Sequence, residues 1–263
     1  MSPLKLTERL GATIGARIAS GGVPRALATL WQDHAAVPVL NLTINDRLHT
    51  HGLDNLPRGE SFILAANHRT WFDLYAVLLA IWRHFDQPPH LYCPVRSTFF
   101  YERLTGIALN LAVSGNAMYP PIFRDERGRS LNHHAVELAA DLLRTDPRCV
   151  LAIHPEGRRG KDPDPYTFLE ARPGVGRIAL RAQRPIVPLF VAGLPPTFPA
   201  LVKERASGRG QPVRVTLGPP IALDDLADRS EDPEAWVTAT TRTMAGIAAA
   251  GELDRAFMAA RGG

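Results

Sequence analysis

The stretch from Phe62 to Trp82 limits the fold more than any other part of the chain. Five apolar residues, Phe62 to Ala66, read as a buried strand. The strand ends on the polar pair Asn67-His68. A second apolar run, Leu74 to Trp82, has the length and the Ala and Leu content of a helix. A strand that hands over to a helix across a short polar turn is the repeating step of an α/β chain. An imidazole therefore stands at the strand end, with the Asp73 carboxylate five residues on, in the first helical turn.

Those residue types suit one chemistry. A neutral imidazole takes a proton near pH 7. A carboxylate on its far nitrogen fixes the tautomer and stabilises the imidazolium that forms. The stretch holds no nucleophilic Ser or Cys in a nucleophile motif, so the direct use is a His that deprotonates a substrate hydroxyl. Spacing alone favours the ordinary reading of a surface His and a helix-start Asp, because His49 and Asp54 repeat it.

The rest of the chain continues the alternation. Strands are expected near Ile44 to His51, His90 to Val95, Arg148 to Ile153, Pro185 to Val191 and Val213 to Leu217. Helices are expected over Thr98 to Gly106, from a Ser130 cap to about Arg144, from Gly174 to Ala182, and from Glu234 to Ala260 with a break at Gly251. Asn110 to Ile122 is apolar but punctuated by Gly115, Pro120 and Pro121. The fold class is α/β, with a mixed, largely parallel sheet flanked by helices. Residues 1–45 differ. Leu6, Leu10, Ile14 and Ile18 recur at helical spacing, Gly21-Gly22 interrupts, and Pro24 to Ala36 reads as a second helix. This predicts an N-terminal amphipathic helical hairpin ahead of an α/β domain over 46–263. The hairpin either packs on that domain or lies on a membrane.

Composition closes off several classes. The formal charge of +4 is a mild basic tilt, suited to anionic substrates or an anionic membrane surface. No basic helix carries interleaved aromatics, which argues against nucleic acid. The two cysteines, Cys93 and Cys149, lie in apolar strand-like stretches and read as buried free thiols of a cytoplasmic protein. No metal-ligand pattern exists. The most apolar long stretch, Pro185 to Val202, is full of prolines, so any membrane contact is peripheral, on the inner face. Gly174-Val175-Gly176 imitates a dinucleotide fingerprint but follows Arg172-Pro173 rather than a strand.

Four features occur in order: Asn67-His68-x4-Asp73, then Ile122-Phe123-Arg124, then Pro155-Glu156-Gly157-Arg158, then Ile186-Val187-Pro188. Their order and spacing resemble the four blocks of the glycerolipid acyltransferase family, whose best-known members acylate lysophosphatidate. The resemblance covers roughly residues 45 to 220. It implies that His68 is the general base for the acceptor hydroxyl and Asp73 its orienter, beside Asn67. It implies direct attack on an acyl-CoA or acyl carrier protein thioester, with no metal and no bound cofactor. Asn67 is then expected to bind substrate, Arg124, Glu156, Gly157 and Arg158 to bind the acceptor head group, and Pro188 to belong to the donor side. A planar guanidinium suits a phosphate fork, and Gly157 allows close backbone approach. Pro188 also reads as an edge-strand proline. The sequence departs from the family at His154, where Phe is common, at Arg69 with Trp71-Phe72, and at Tyr119-Pro120-Pro121 before the second block. Those departures leave open another acceptor, such as glycerol phosphate or a lipid-linked amine or sugar, or a non-catalytic lipid-binding module.

Overall fold

The computed structural model describes residues 4–82, 84–115, 117–123 and 131–262. A six-stranded sheet carries the fold, in the order β1 (Leu48–His51), β8 (Val213–Leu217), β7 (Ile186–Ala192), β2 (Phe62–Ala66), β6 (Cys149–Ile153), β3 (His90–Tyr92). Strands β7, β2, β6 and β3 are parallel. Strand β8 runs antiparallel to β7, and β1 follows β8. The mixed, largely parallel sheet expected from the sequence is present.

Side-chain alternation splits the core into two layers. Phe62, Leu64 and Ala66 face one side with Val187, Leu189 and Leu217, under α3 (Val37–Ile44), α4 (Asp73–Trp82) and α9 (Phe198–Ser207). Ile63 and Ala65 face the other with Leu151 and Ile186, under α7 (Leu131–Thr145), α8 (Gly174–Ala182) and α10 (Pro233–Gly262). Burial on both faces explains why the central strands read as unbroken apolar runs. Gly176 faces α10 so closely that a Cβ there would lie 2.2 Å from the Trp236 carbonyl oxygen. Its role is helix packing, which removes the dinucleotide reading of Gly174 to Ala179.

Several boundaries differ from the sequence expectation. Residues 37–44 form α3, so the strand expected from Ile44 begins at Leu48. Helix α2 (Gly22–Trp31) runs on through a π-helical turn, Gln32–Ala36, in which the Val37 N–H reaches back to the Gln32 carbonyl. This wider turn carries the helix up to Pro38, a residue that reads as a breaker. The strand expected over His90 to Val95 splits at Pro94. Its second part, β4 (Val95–Arg96), pairs with β5 (Pro121–Ile122) in a separate parallel ribbon. The short helix expected over Thr98 to Gly106 becomes α5 (Ser97–Phe100) and α6 (Leu104–Ser114), the latter ending on left-handed Gly115. Helix α9 was hidden by Pro195, Pro196 and Pro199. Thr197 caps it, accepting from the Ala200 N–H, and Pro199 sits in the first turn, where its missing N–H costs nothing. Helix α10 passes through Gly251 unbroken.

Helix α1 (Leu6–Ala19) docks through its small residues. Gly11, Gly15 and Ala19 are buried, with Gly11 against Tyr101 and Ile107. Leu6 and Leu10 point outward, as do Leu27 and Leu30 of α2 and Leu42 of α3. The hairpin is held by polar bonds: Trp31 Nε1 donates to the Ala112 carbonyl, Gln32 Nε2 to Ser114, and Arg25 to Asp146. Asp146 also meets His90 Nδ1 at 2.7 Å, and one of its oxygens accepts the Arg148 N–H. Burial pushes the Asp146 carboxyl up, but His90, Arg25 and Arg148 outweigh it and hold the group below its ordinary value. A carboxyl held low stabilises the fold above its unfolded pKa and loses that contribution as pH falls through the folded value. Asp146→Ala takes the carboxylate from buried His90 and from half-buried Arg25, which keeps the Ile18 and Ala19 carbonyls. We expect a loss of about 3 kcal/mol, read as a lower midpoint in urea unfolding, because breaking one side of a buried pair strands the other.

Candidate active site

The ends of three parallel strands meet at one corner. β2 ends into Asn67-His68, β6 into His154 to Gly157, and β7 at Ala192, just past Val191. Asn67 is fully buried and stitches two of them together. Its amide donates to the Val191 carbonyl at 3.0 Å and its oxygen accepts the Val191 N–H at 2.7 Å. His68 follows with its backbone clamped on both sides. Its N–H donates to Glu156 Oε1 at 3.2 Å, and its carbonyl accepts the Gly160 N–H at 2.8 Å.

The His68 ring faces Asp73, with Nδ1 3.1 Å from Oδ2. The same oxygen accepts the backbone N–H of Arg69 at 2.6 Å and of Thr70 at 2.8 Å, and Oδ1 accepts the Thr70 hydroxyl at 2.7 Å. Asp73 is 1% exposed. A carboxylate so surrounded by donors only accepts, so the proton of neutral His68 sits on Nδ1 and Nε2 carries the lone pair. That nitrogen belongs to a side chain 19% exposed, enough to be reached by a substrate.

Glu156 is the second buried carboxylate of the corner. Its other oxygen accepts the Leu169 N–H at 3.2 Å. Burial pushes its carboxyl above the ordinary value against the pull of those two N–H groups. Both its oxygens hold backbone, so Glu156 shapes the corner rather than moving protons. Gly157 turns the chain at φ +61°, a left-handed conformation that favours glycine. Its carbonyl accepts from Arg96 Nη2 at 2.7 Å, and the Arg172 side chain lies alongside. Arg158 points outward and is exposed. The next residue, Arg159, lies over the Trp71 ring at 4.2 Å. Burial, then the positive fields of Arg172 and Arg159, lower the Arg96 guanidinium from its ordinary value. These three arginines lie close enough to feel one another, and a cluster of that kind attracts an anion.

Structure therefore joins His68, Asp73, Asn67, Glu156 and Gly157 at one corner. Pro188 is elsewhere: it pairs with Ala65 inside the sheet, and its ring packs against Gly218 and Gly246. Because β7 lies between β2 and β8, Pro188 is an interior-strand proline, not an edge one. Arg124 lies outside the described residues. Arg96, Arg159 and Arg172 escaped sequence reading. Arg96 reaches the corner only through the β4–β5 ribbon.

His154 lies flat on His68, with ring centroids 3.9 Å apart and planes 10° apart. Its Nδ1 donates to the Ala66 carbonyl at 3.1 Å. Burial first, then the positive charge of protonated His68, push it down to about 4. His68, Asp73 and His154 each offer an atom within 4.8 Å of the others, a spacing open to a metal ion. Stacked rings send their in-plane lone pairs along separate parallel planes, and the Asp73 oxygens are engaged by donors. In this arrangement the three side chains form a stacked and hydrogen-bonded cluster whose donor atoms do not converge on one point.

Among the described residues the corner brings together an imidazole bonded to a buried carboxylate and a cluster of arginines. The acyltransferase family model matches residues 47–192, and the chain belongs to this family. It is 24% identical over 197 residues to the 1-acyl-sn-glycerol-3-phosphate acyltransferase of Streptococcus pneumoniae (strain ATCC BAA-255 / R6), an alignment spanning 74% of this chain and 64% of that protein. In fold it is similar to the solved 1-acyl-sn-glycerophosphate (LPA) acyltransferase PlsC of Thermotoga maritima, with a TM-score of 0.52 at 16% identity over 94% of this chain and 96% of that one.

Proposed function

We propose that the chain moves a fatty acyl group from an acyl-CoA or acyl carrier protein thioester to a hydroxyl of a lysophosphatidate-like acceptor. The observation that carries this reading is His68 Nε2, left as a lone-pair acceptor by the Nδ1 bond to buried Asp73, on a half-buried side chain at the corner that also holds the arginine cluster. In the reaction Nε2 takes the acceptor's proton as its oxygen attacks the thioester carbonyl. Asp73 stabilises the imidazolium, the C–S bond breaks, and the proton passes to the departing thiolate. No acyl-enzyme forms. A hydroxyl is a weak acid, so most of the gain comes from holding acceptor and donor in line.

Arg96, Arg159 and Arg172 supply positive charge for the acceptor's phosphate. Arg124 and Arg158 keep the head-group roles the family resemblance implies. Pro188, inside the sheet, serves the donor side through the shape of β7. The outward Leu6, Leu10, Val23, Leu27, Leu30 and Leu42 suit a hairpin lying in the head-group layer of an anionic inner leaflet. Among the described residues no helix is long and apolar enough to cross a membrane, so contact of this kind is interfacial.

Thiol release from acyl-CoA and acyl carrier protein donors tests the reading, against lysophosphatidate, glycerol phosphate, other lysolipids and monoacylglycerol. Release that depends on a phosphate-bearing acceptor is expected; release with none of them rejects the reading. In the same assay Arg96→Ala should raise KM for the phosphate-bearing acceptor roughly tenfold, the worth of one charge-assisted bond, with kcat nearly unchanged. An equal rise for monoacylglycerol would assign Arg96 to holding Gly157 and not to the phosphate.

A further inference from the structure

We infer that His154 is a positioning residue for His68: its ring fixes the plane in which the catalytic lone pair points. The inference rests on the acyl-transfer reading for its kinetic consequence and on geometry for everything else.

A single hydrogen bond does not orient an imidazole fully. The Nδ1–H···Oδ2 bond to Asp73 holds one corner of the His68 ring and, with the Cβ tether, leaves the ring to rock about χ1 and χ2. The lone pair on Nε2 lies in the ring plane, so each degree of pivot swings it away from the acceptor hydroxyl. A second constraint has to act on the face of the ring. His154 supplies it, lying parallel at 3.9 Å.

Support of that kind works only if the supporting ring is itself held. His154 Nδ1 donates to the carbonyl of Ala66, the last residue of β2 and two before His68. The two rings are therefore referenced to the same strand end. Phe at this position would offer the face without the anchor, and an aliphatic side chain would offer neither.

Charge matters as well. During turnover His68 becomes an imidazolium. A second cation at this distance would oppose that step, and a neutral ring face would favour it. Half-buried His154 gains its proton only near pH 4, so it is neutral around neutral pH. The tautomer is set by the Ala66 carbonyl, which accepts from Nδ1–H, so His154 presents no competing proton transfer of its own at that nitrogen.

The test compares His154→Leu, which has similar bulk and no aromatic face, with His154→Phe, which keeps the face. Steady-state thiol release should show kcat lowered about thirtyfold in the Leu variant, within the reach of a misaligned catalytic group, with KM for donor and acceptor within twofold of wild type. The Phe variant should recover kcat to within about fivefold, the remainder being the lost anchor. A purely structural residue would lower the folded fraction without this split or this rescue. Imidazole NMR gives a readout independent of turnover. The His68 ring protons should be shifted upfield by the stacked ring in wild type and Phe variant, and lose that shift in the Leu variant. Leu-variant kcat within twofold of wild type, a Phe variant as impaired as Leu, or a loss confined to KM would each overturn the inference. So would His68 ring protons that do not respond to the substitution. Absence of thiol release from wild type would instead reject the acyl-transfer reading, and the NMR comparison would still decide the role of His154.

Discussion

His68→Ala should abolish acyl transfer while leaving a folded protein. Loss of a positioned general base costs about 10²- to 10⁴-fold, and we expect the upper end because, among the described residues, no other group at the corner has a free lone pair aimed at the substrate. Glu156 does not substitute: both its oxygens hold backbone N–H groups. His154 does not substitute either, since burial and its Ala66 bond commit it to a supporting role. The fold should survive for an equally local reason. Removing the imidazole takes one donor from Asp73, but the Arg69 and Thr70 N–H groups and the Thr70 hydroxyl remain, so no buried charge is stranded. The backbone bonds of residue 68 to Glu156 and Gly160 do not involve its side chain. The check is thiol release beside a thermal melt. Full turnover in the Ala variant would remove His68 from the mechanism. An equal collapse of the melting temperature would recast it as a structural residue.

Local signals made the centre of this site readable in the sequence. An apolar run of strand length ending on Asn-His, then an Asp at a helix start, is a pattern within a dozen residues, and the fold realises it in β2, Asp73 and α4. The third block was readable for the same reason, since β6 runs straight into Pro155-Glu156-Gly157. What escaped depends on tertiary facts. Arg96 lies on a two-residue strand whose partner, Pro121–Ile122, is far along the chain. Whether Arg158 or Arg159 turns toward Trp71 is decided by the left-handed turn at Gly157, which spacing does not reveal. Residues 37–44 hid behind Pro38 because a π-helical turn is set by packing against α4 and α6 rather than by propensity. His154 read only as a departure from the family, because stacking is invisible until two strand ends are placed side by side.

The two buried carboxylates divide the work by what they touch. Glu156 gives both its oxygens to backbone N–H groups and makes no bond to an imidazole, so its charge serves architecture. Asp73 also accepts two backbone N–H groups, and in addition faces the imidazole, so the same kind of nest is turned to function. The nest holds the carboxylate in place, and the imidazole inherits that fixed position through one bond.

Asp73→Asn should accordingly cost both rate and stability, and the split between them is informative. The amide has one accepting oxygen where the carboxylate had two. Its best pose gives that oxygen to the Arg69 and Thr70 N–H groups and turns its NH₂ toward the Thr70 hydroxyl, which can reverse its role and accept. The stability loss should then be about 1–3 kcal/mol, the cost of weakened bonds at a buried polar group, seen as a lower urea midpoint with an unchanged slope. The rate loss should be larger, about 10²- to 10⁴-fold in kcat at saturating substrates, because the amide oxygen still accepts Nδ1–H but a neutral partner does not balance the imidazolium. KM for donor and acceptor should stay close to wild type, since Asp73 is buried beneath His68 and touches neither substrate. Asp73→Asn with a large stability loss and a kcat near wild type would show that the carboxylate serves only the turn at residues 69–70, and that His68 acts as base without it.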